Sequence, residues 1–223
     1  MYRGYVEAGT GGDPLSSGAF GPGLRRDLAD LNRQFLDLSL VPGPATDPRF
    51  AWTDCVRRAL LRTDEATRER VAACPFALFQ IVPPDGPDSL PKAAPRVEDG
   101  EAGAAKDDTS VACLSFLHAA LFVAWRLADA APLAARLALG LSPAAELLLT
   151  EKSLTQLTRM ATAPGLIRPR WPAHAGFWTI LVAAAEGREG RTMQQAYCVG
   201  ICLLDAEVSG GGAAAGPRHR GPR

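Results

Sequence analysis

The stretch that decides the fold runs from Leu139 to Trp171, LGLSPAAELLLTEKSLTQLTRMATAPGLIRPRW. Gly140 has no Cβ and so suits the left-handed turn that ends a preceding helix. Ser142 offers a hydroxyl to cap the next helix, and Pro143 fits its first turn, where a backbone N–H has no helical partner. A second helix starts at Ser153, whose spacing to Gln156 predicts a capping box in which the two residues satisfy each other's amides. Leu154, Leu157, Met160 and Ala161 then fall on one face at helical spacing. Pro164-Gly165 closes the pair, and a small basic exit leads to Trp171. Two short helices joined by a polar turn make a helix–turn–helix arrangement, a reader of DNA or simply a packed corner.

Working outward, the sequence predicts an all-α fold built on this pair, with at most one short strand. The N-terminal residues 1–23, rich in Gly, Ser and Pro, are expected to be disordered. Residues 24–82 form a helical lobe. In it Leu28, Leu31, Phe35 and Leu38 repeat at helical spacing up to Leu40, Asp47-Pro48 opens a helix to Leu61, and Thr63 caps a third that runs to Ala72. Phe76–Val82 is short and aromatic-rich and reads as a strand or a buried extended segment. Its partner would be another subunit or the Leu166–Trp171 region. Residues 83–110, with scattered prolines, glycines and acids, read as a flexible linker. Residues 111–207 form a second helical domain, and 208–223 a disordered tail. Within that domain Phe177–Val182 is apolar but of no evident type. A last helix beginning at Thr192 carries a stripe of Met193, Ala196, Tyr197, Gly200, Ile201 and Leu204.

Val111–Trp125 is an uncharged run of fifteen residues, shorter than the roughly 18–20 needed to span a bilayer, so it reads as a buried helix and no membrane is expected. There is also an internal echo. Arg70-Val71-Ala72-Ala73-Cys74-Pro75 parallels Arg159-Met160-Ala161-Thr162-Ala163-Pro164, each after a capped helix and before an apolar exit. A duplicated corner and coincidence in an Ala-rich chain both account for it.

Formal net charge is zero, which removes the footprint of a strongly basic nucleic-acid binder. Charge is uneven: residues 1–110 carry 13 basic and 17 acidic side chains, whereas 126–171 carry six and three. Five cysteines without a regular framework, and no signal-peptide core, point to a reducing cytoplasmic setting. Cys198 and Cys202 sit one helical turn apart but lack two further zinc ligands, so core cysteines are the expected reading and no metal is assigned. His118 lies in an apolar run and reads as a satisfied core histidine. No nucleophile elbow or phosphate loop is present, so no catalytic residue, cofactor or enzymatic activity is expected. For DNA, Lys152, Arg159, Arg168 and Arg170 are the candidate phosphate contacts, and Thr155, Gln156 and the neighbouring Thr158 could read bases.

The stretch resembles the flagellar transcriptional regulator FlhD family. The resemblance rests on Gly140 after an Ala/Arg/Leu-rich helix, on Leu154-x-Gln156-Leu157-x-Arg159-Met160-Ala161, and on Leu166-Ile167. Upstream, the apolar helix ending Trp125-Arg126-Leu127 is similar to the family's dimer-forming helix; downstream, Met193-Gln194-Gln195, Gly200-Ile201 and Leu203-Leu204 are similar to its last one. About residues 113–206 are covered. The resemblance implies a cytoplasmic homo-oligomer that dimerises through Leu114, Leu117, Leu121 and Trp125. It further implies action with an FlhC-like protein at promoter DNA, that partner bearing most DNA contacts and a structural zinc. Arg168 stands where the family places a cysteine after the apolar exit, so no thiol link is implied. The alternative is a protein-interaction adaptor that keeps the fold without touching DNA.

Overall fold

The computed structural model describes residues 21–40, 52–82, 104–163, 165–187 and 192–210, the side chains of 104–110 and 208–210 excepted. The expectations for residues 1–20, the linker up to 103 and the tail beyond 210 lie outside the described residues.

The described chain is mostly helical with one two-stranded sheet, as the periodicity predicts. Its elements are α1 (Pro22–Leu40), α2 (Asp54–Leu61), α3 (Glu65–Ala72), β1 (Phe79–Ile81), α4 (Ala104–Ala130), α5 (Pro132–Leu139), α6 (Pro143–Thr150), α7 (Leu154–Met160), β2 (Ile167–Pro169), α8 (Ala175–Ala185) and α9 (Met193–Gly210). The expected strand shrinks to Phe79–Ile81 and takes the intramolecular partner: it pairs antiparallel with β2, Gln80 opposite Arg168. Two expectations shift. The linker was expected to reach residue 110, but α4 begins at Ala104, since no Gly or Pro interrupts the chain between Gly103 and Val111. Phe177–Val182 lies within α8, whose Phe177, Trp178, Leu181 and Val182 are buried.

By length and composition 111–130 would cross a membrane. Here it is a core helix: Cys113, Phe116, Leu117, Ala120, Leu121 and Ala124 are all buried, and it packs on α1, α5, α6 and α7. A single core joins the two halves of the chain. Phe35 of α1, Phe79 of β1 and Phe116 of α4 meet with ring centroids 5.3–6.1 Å apart, and Trp52 meets Trp178 edge-on at 4.6 Å.

The halves are also built alike. Helices α1, α2, α3 and strand β1 recur, in order and similar length, as residues 111–130 of α4, then α6, α7 and β2. The N-caps Thr53 and Asp64 recur as Ser142 and Ser153, each pair 89 positions apart. At the same offset the buried residues Leu28, Leu31, Phe35, Val56, Leu60 and Val71 correspond to the equally buried Leu117, Ala120, Ala124, Ala145, Leu149 and Met160. The two strands pair about equivalent residues. Outside them, Val82 N–H donates to Leu166 O (2.7 Å) and Arg170 N–H to Leu78 O (2.9 Å), two bonds that exchange under the same rotation. An approximate two-fold axis therefore passes between Gln80 and Arg168. The echo at Arg70 and Arg159 marks the ends of α3 and α7, equivalent places in the two repeats.

Candidate interaction surface around the helical pair

The α6–α7 pair forms as its caps dictate. Ser142 Oγ accepts from Ala145 N–H (3.1 Å). Ser153 Oγ accepts from Gln156 N–H (3.4 Å), while Gln156 Oε1 accepts from Ser153 N–H (2.9 Å). Gly140, at φ 66°, ends α5 in the left-handed conformation. Arg136 of α5 donates to Glu146 of α6 at 2.6 and 3.3 Å, fixing the angle between those helices. This bond, together with the charge of Glu146, raises the Arg136 pKa.

The residues proposed to contact DNA divide sharply. Thr155, Gln156 and Arg159 are exposed on α7, with Lys152 just ahead of it. Two polar side chains there are already engaged: Gln156 closes the capping box, and Thr158 Oγ1 donates back to Leu154 O (3.0 Å). Arg168 is exposed on β2 and donates to Gln80 Oε1 at 3.2 Å. Arg170 must be withdrawn as a phosphate contact. It has no exposed surface; Nη2 and Nε donate to Glu207 of α9 at 2.8 and 3.2 Å, and the guanidinium lies 4.9 Å over the Trp171 ring. Burial lowers its pKa, and the Glu207 charge and hydrogen bond oppose that shift. Its role is to tie β2 to α9. Sequence reasoning missed it because Glu207 lies 37 residues away with no local pattern linking the two.

The proposed dimer face divides too. Leu114 is partly exposed and Trp125 half-buried, but Leu117 and Leu121 belong to the core. Where the resemblance implies a second subunit against this helix, α4 packs on the chain's own α1. Cys198 and Cys202 are exposed on α9, not core cysteines as expected. Among the described residues no group of three or more His, Cys, Asp or Glu side chains could hold a metal ion.

His118 departs from its expected role as well. It is half-buried, and its Nε2 is enclosed without a hydrogen-bond partner among the described residues. It lines a cavity of about 580 Å³ between α4 and α7, with Leu121, Phe122, Leu154, Leu157 and Thr158. Phe122 and Leu154 remain 48% and 57% exposed at its mouth. The sequence signal for this feature was Phe122 itself, off the stripe assigned to the buried face.

No family model, curated protein or solved structure matches the chain.

Proposed function

We propose that this chain is an FlhD-like subunit of a cytoplasmic transcription-regulating complex, acting with an FlhC-like partner at promoter DNA. The observation that carries this reading is the internal pairing. The resemblance implies a dimer, and this chain contains two related helical units packed about an approximate two-fold axis, with α1 against α4 and β1 against β2. One chain would then take the place of a dimer in the complex. Direct DNA contact falls to Lys152, Arg159 and Arg168 beside Thr155, and the partner supplies the rest. Three cations are too few for tight binding by this chain alone. The test is to mix the purified protein with the FlhC-like product of the same genome. Co-elution and a shift of promoter DNA are expected; neither occurring sinks the proposal.

The burial of Arg170 and the engagement of Gln156 favour a second reading, an adaptor that regulates through protein contact alone. Charge reversal at Lys152, Arg159 and Arg168 separates the two. If DNA is touched, the salt dependence of the complex's binding should fall by about one slope unit per lost contact. An unchanged slope selects the adaptor.

A further inference from the structure

The two repeats allow the same position to be compared in two settings. In the first, Arg33 of α1 bonds to Glu65 and Glu69 of α3, and to Asp37 at 2.9 Å, so ion pairs bridge the two helices. Beside it Asn32 is buried, donating to Ala72 O and Phe76 O (both 3.0 Å) and accepting from Leu78 N–H (2.8 Å). In the second repeat, 89 positions on, Leu121 replaces Asn32 and Phe122 replaces Arg33. Leu154 and Thr158 replace Glu65 and Glu69. The charged bridge has become an open apolar groove. Large apolar side chains left exposed around a cavity mark a surface that another molecule covers.

We infer that the groove between α4 and α7 docks an acidic amphipathic helix of a partner protein, one per chain. Shape argues against a second copy of this chain as occupant. A two-fold dimer sets a patch against itself, and two concavities do not fill one another. The equivalent position in the first repeat is bridged by ions, so the chain offers one such groove. An inserted helix with apolar side chains at i, i+3 or i+4, and i+7 matches its form.

Charge supplies the sign. Lys152 precedes α7 and Arg159 adjoins Thr158, and neither forms an ion pair among the described residues. The counterpart of Arg159, Arg70, is instead engaged: Nε donates to Ala185 O and Nη2 to Thr67 Oγ1 (3.0 Å). Two free cations beside an apolar slot favour acidic flanks on the occupant and disfavour basic ones. The buried Nε2 of His118 lacks a partner, a cost that a polar atom of the occupant would relieve. The assignment goes beyond the regulator reading, since it requires neither DNA nor the FlhC-like partner. An acidic helix and DNA would compete for Lys152 and Arg159, but Phe122 serves only the groove.

The experiment is a displayed library of 18-residue helices with leucine fixed at i, i+4 and i+7 and polar positions drawn from Glu, Lys, Gln and Ser. It is selected against the full chain. Selected helices should favour Glu over Lys, and Phe122→Glu should weaken them at least tenfold while leaving the thermal unfolding of the chain unchanged. Lys152→Glu with Arg159→Glu should turn the preference toward Lys. Failure to enrich binders, enrichment of basic helices, or indifference to Phe122→Glu each overturns the assignment. So does a dimer in sedimentation that Phe122→Glu abolishes, since that makes a second copy the occupant. A promoter shift that survives Phe122→Glu leaves the regulator reading standing whatever the library shows.

Discussion

A guanidinium without solvent is among the costliest groups a fold can hold, and Arg170 is held by three features from three parts of the chain. Glu207 supplies the opposite charge, the Trp171 ring lies beneath it, and Gly140 allows the close approach. A Cβ on Gly140 would sit 2.1 Å from Nη2, at a backbone φ of 66° that already disfavours any other residue. Gly140→Ala should therefore cost about 2–3 kcal/mol in chemical denaturation, strain and overpacking together. Glu207→Gln keeps the shape but removes the counter-charge. It should cost about 3 kcal/mol, the low end for a broken buried pair, because Glu207 is itself a third exposed. Replacing both partners by leucine should restore much of that loss, because the uncompensated charge is gone. If the double variant is as unstable as Glu207→Gln alone, the ion pair is not what stabilises this corner.

At the scale of elements, caps do much of the specifying, and most were legible. Ser142, the Ser153–Gln156 box and Gly140 occur as their residue types dictate. The third helix is instructive because Thr63 was the expected cap. In the fold Thr63 Oγ1 donates back to Leu60 O (2.6 Å), and its neighbour Asp64 accepts Thr67 N–H at 2.8 Å. Adjacent capping residues cannot be ranked without the loop's path. The hydrogen bonds from Thr67 lower the Asp64 pKa below its usual value. A depressed carboxyl stabilises the fold above its unfolded pKa, near 4, and loses that contribution as pH falls through the folded value. Asp64→Ala should be less stable than the parent at pH 7, with the gap closing in acid as the parent loses its cap. Thermal unfolding of both from pH 7 to 2 checks this; a gap independent of pH would mean the carboxylate is not what caps α3. Strand β1 and helix α8 were less legible because their signals are not local. Phe76–Val82 becomes a strand only through β2, 88 positions away. Thr179, Ile180 and Val182 give α8 a β-prone composition that packing overrides.

At the scale of the molecule, the duplication was visible in sequence only as the short echo at Arg70 and Arg159. The repeats share burial and caps far more than identity. Phe35 answers to Ala124, and Trp52 to Leu141, all four of them buried. The difference fits the packing: Phe35 fills the junction with Phe79 and Phe116, so one large ring occupies what two equal ones would overfill. The functional asymmetry was hidden for the same reason, since Phe122 and Arg33 become comparable only once the repeats are superposed. This architecture predicts how the protein unfolds. Each repeat alone would leave a three-residue strand unpaired and the Phe35, Phe79 and Phe116 cluster dismantled, and a lone strand of that length has little stability. The two halves should therefore unfold together. Tryptophan fluorescence, reporting largely on Trp52, Trp171 and Trp178, and far-UV circular dichroism should trace coincident urea transitions. Phe116→Ala, at the junction, should cost about 3–5 kcal/mol and move both curves by the same amount. If the curves separate, or if Phe116→Ala shifts only one of them, the halves fold as independent units and the junction between them is not part of a shared core.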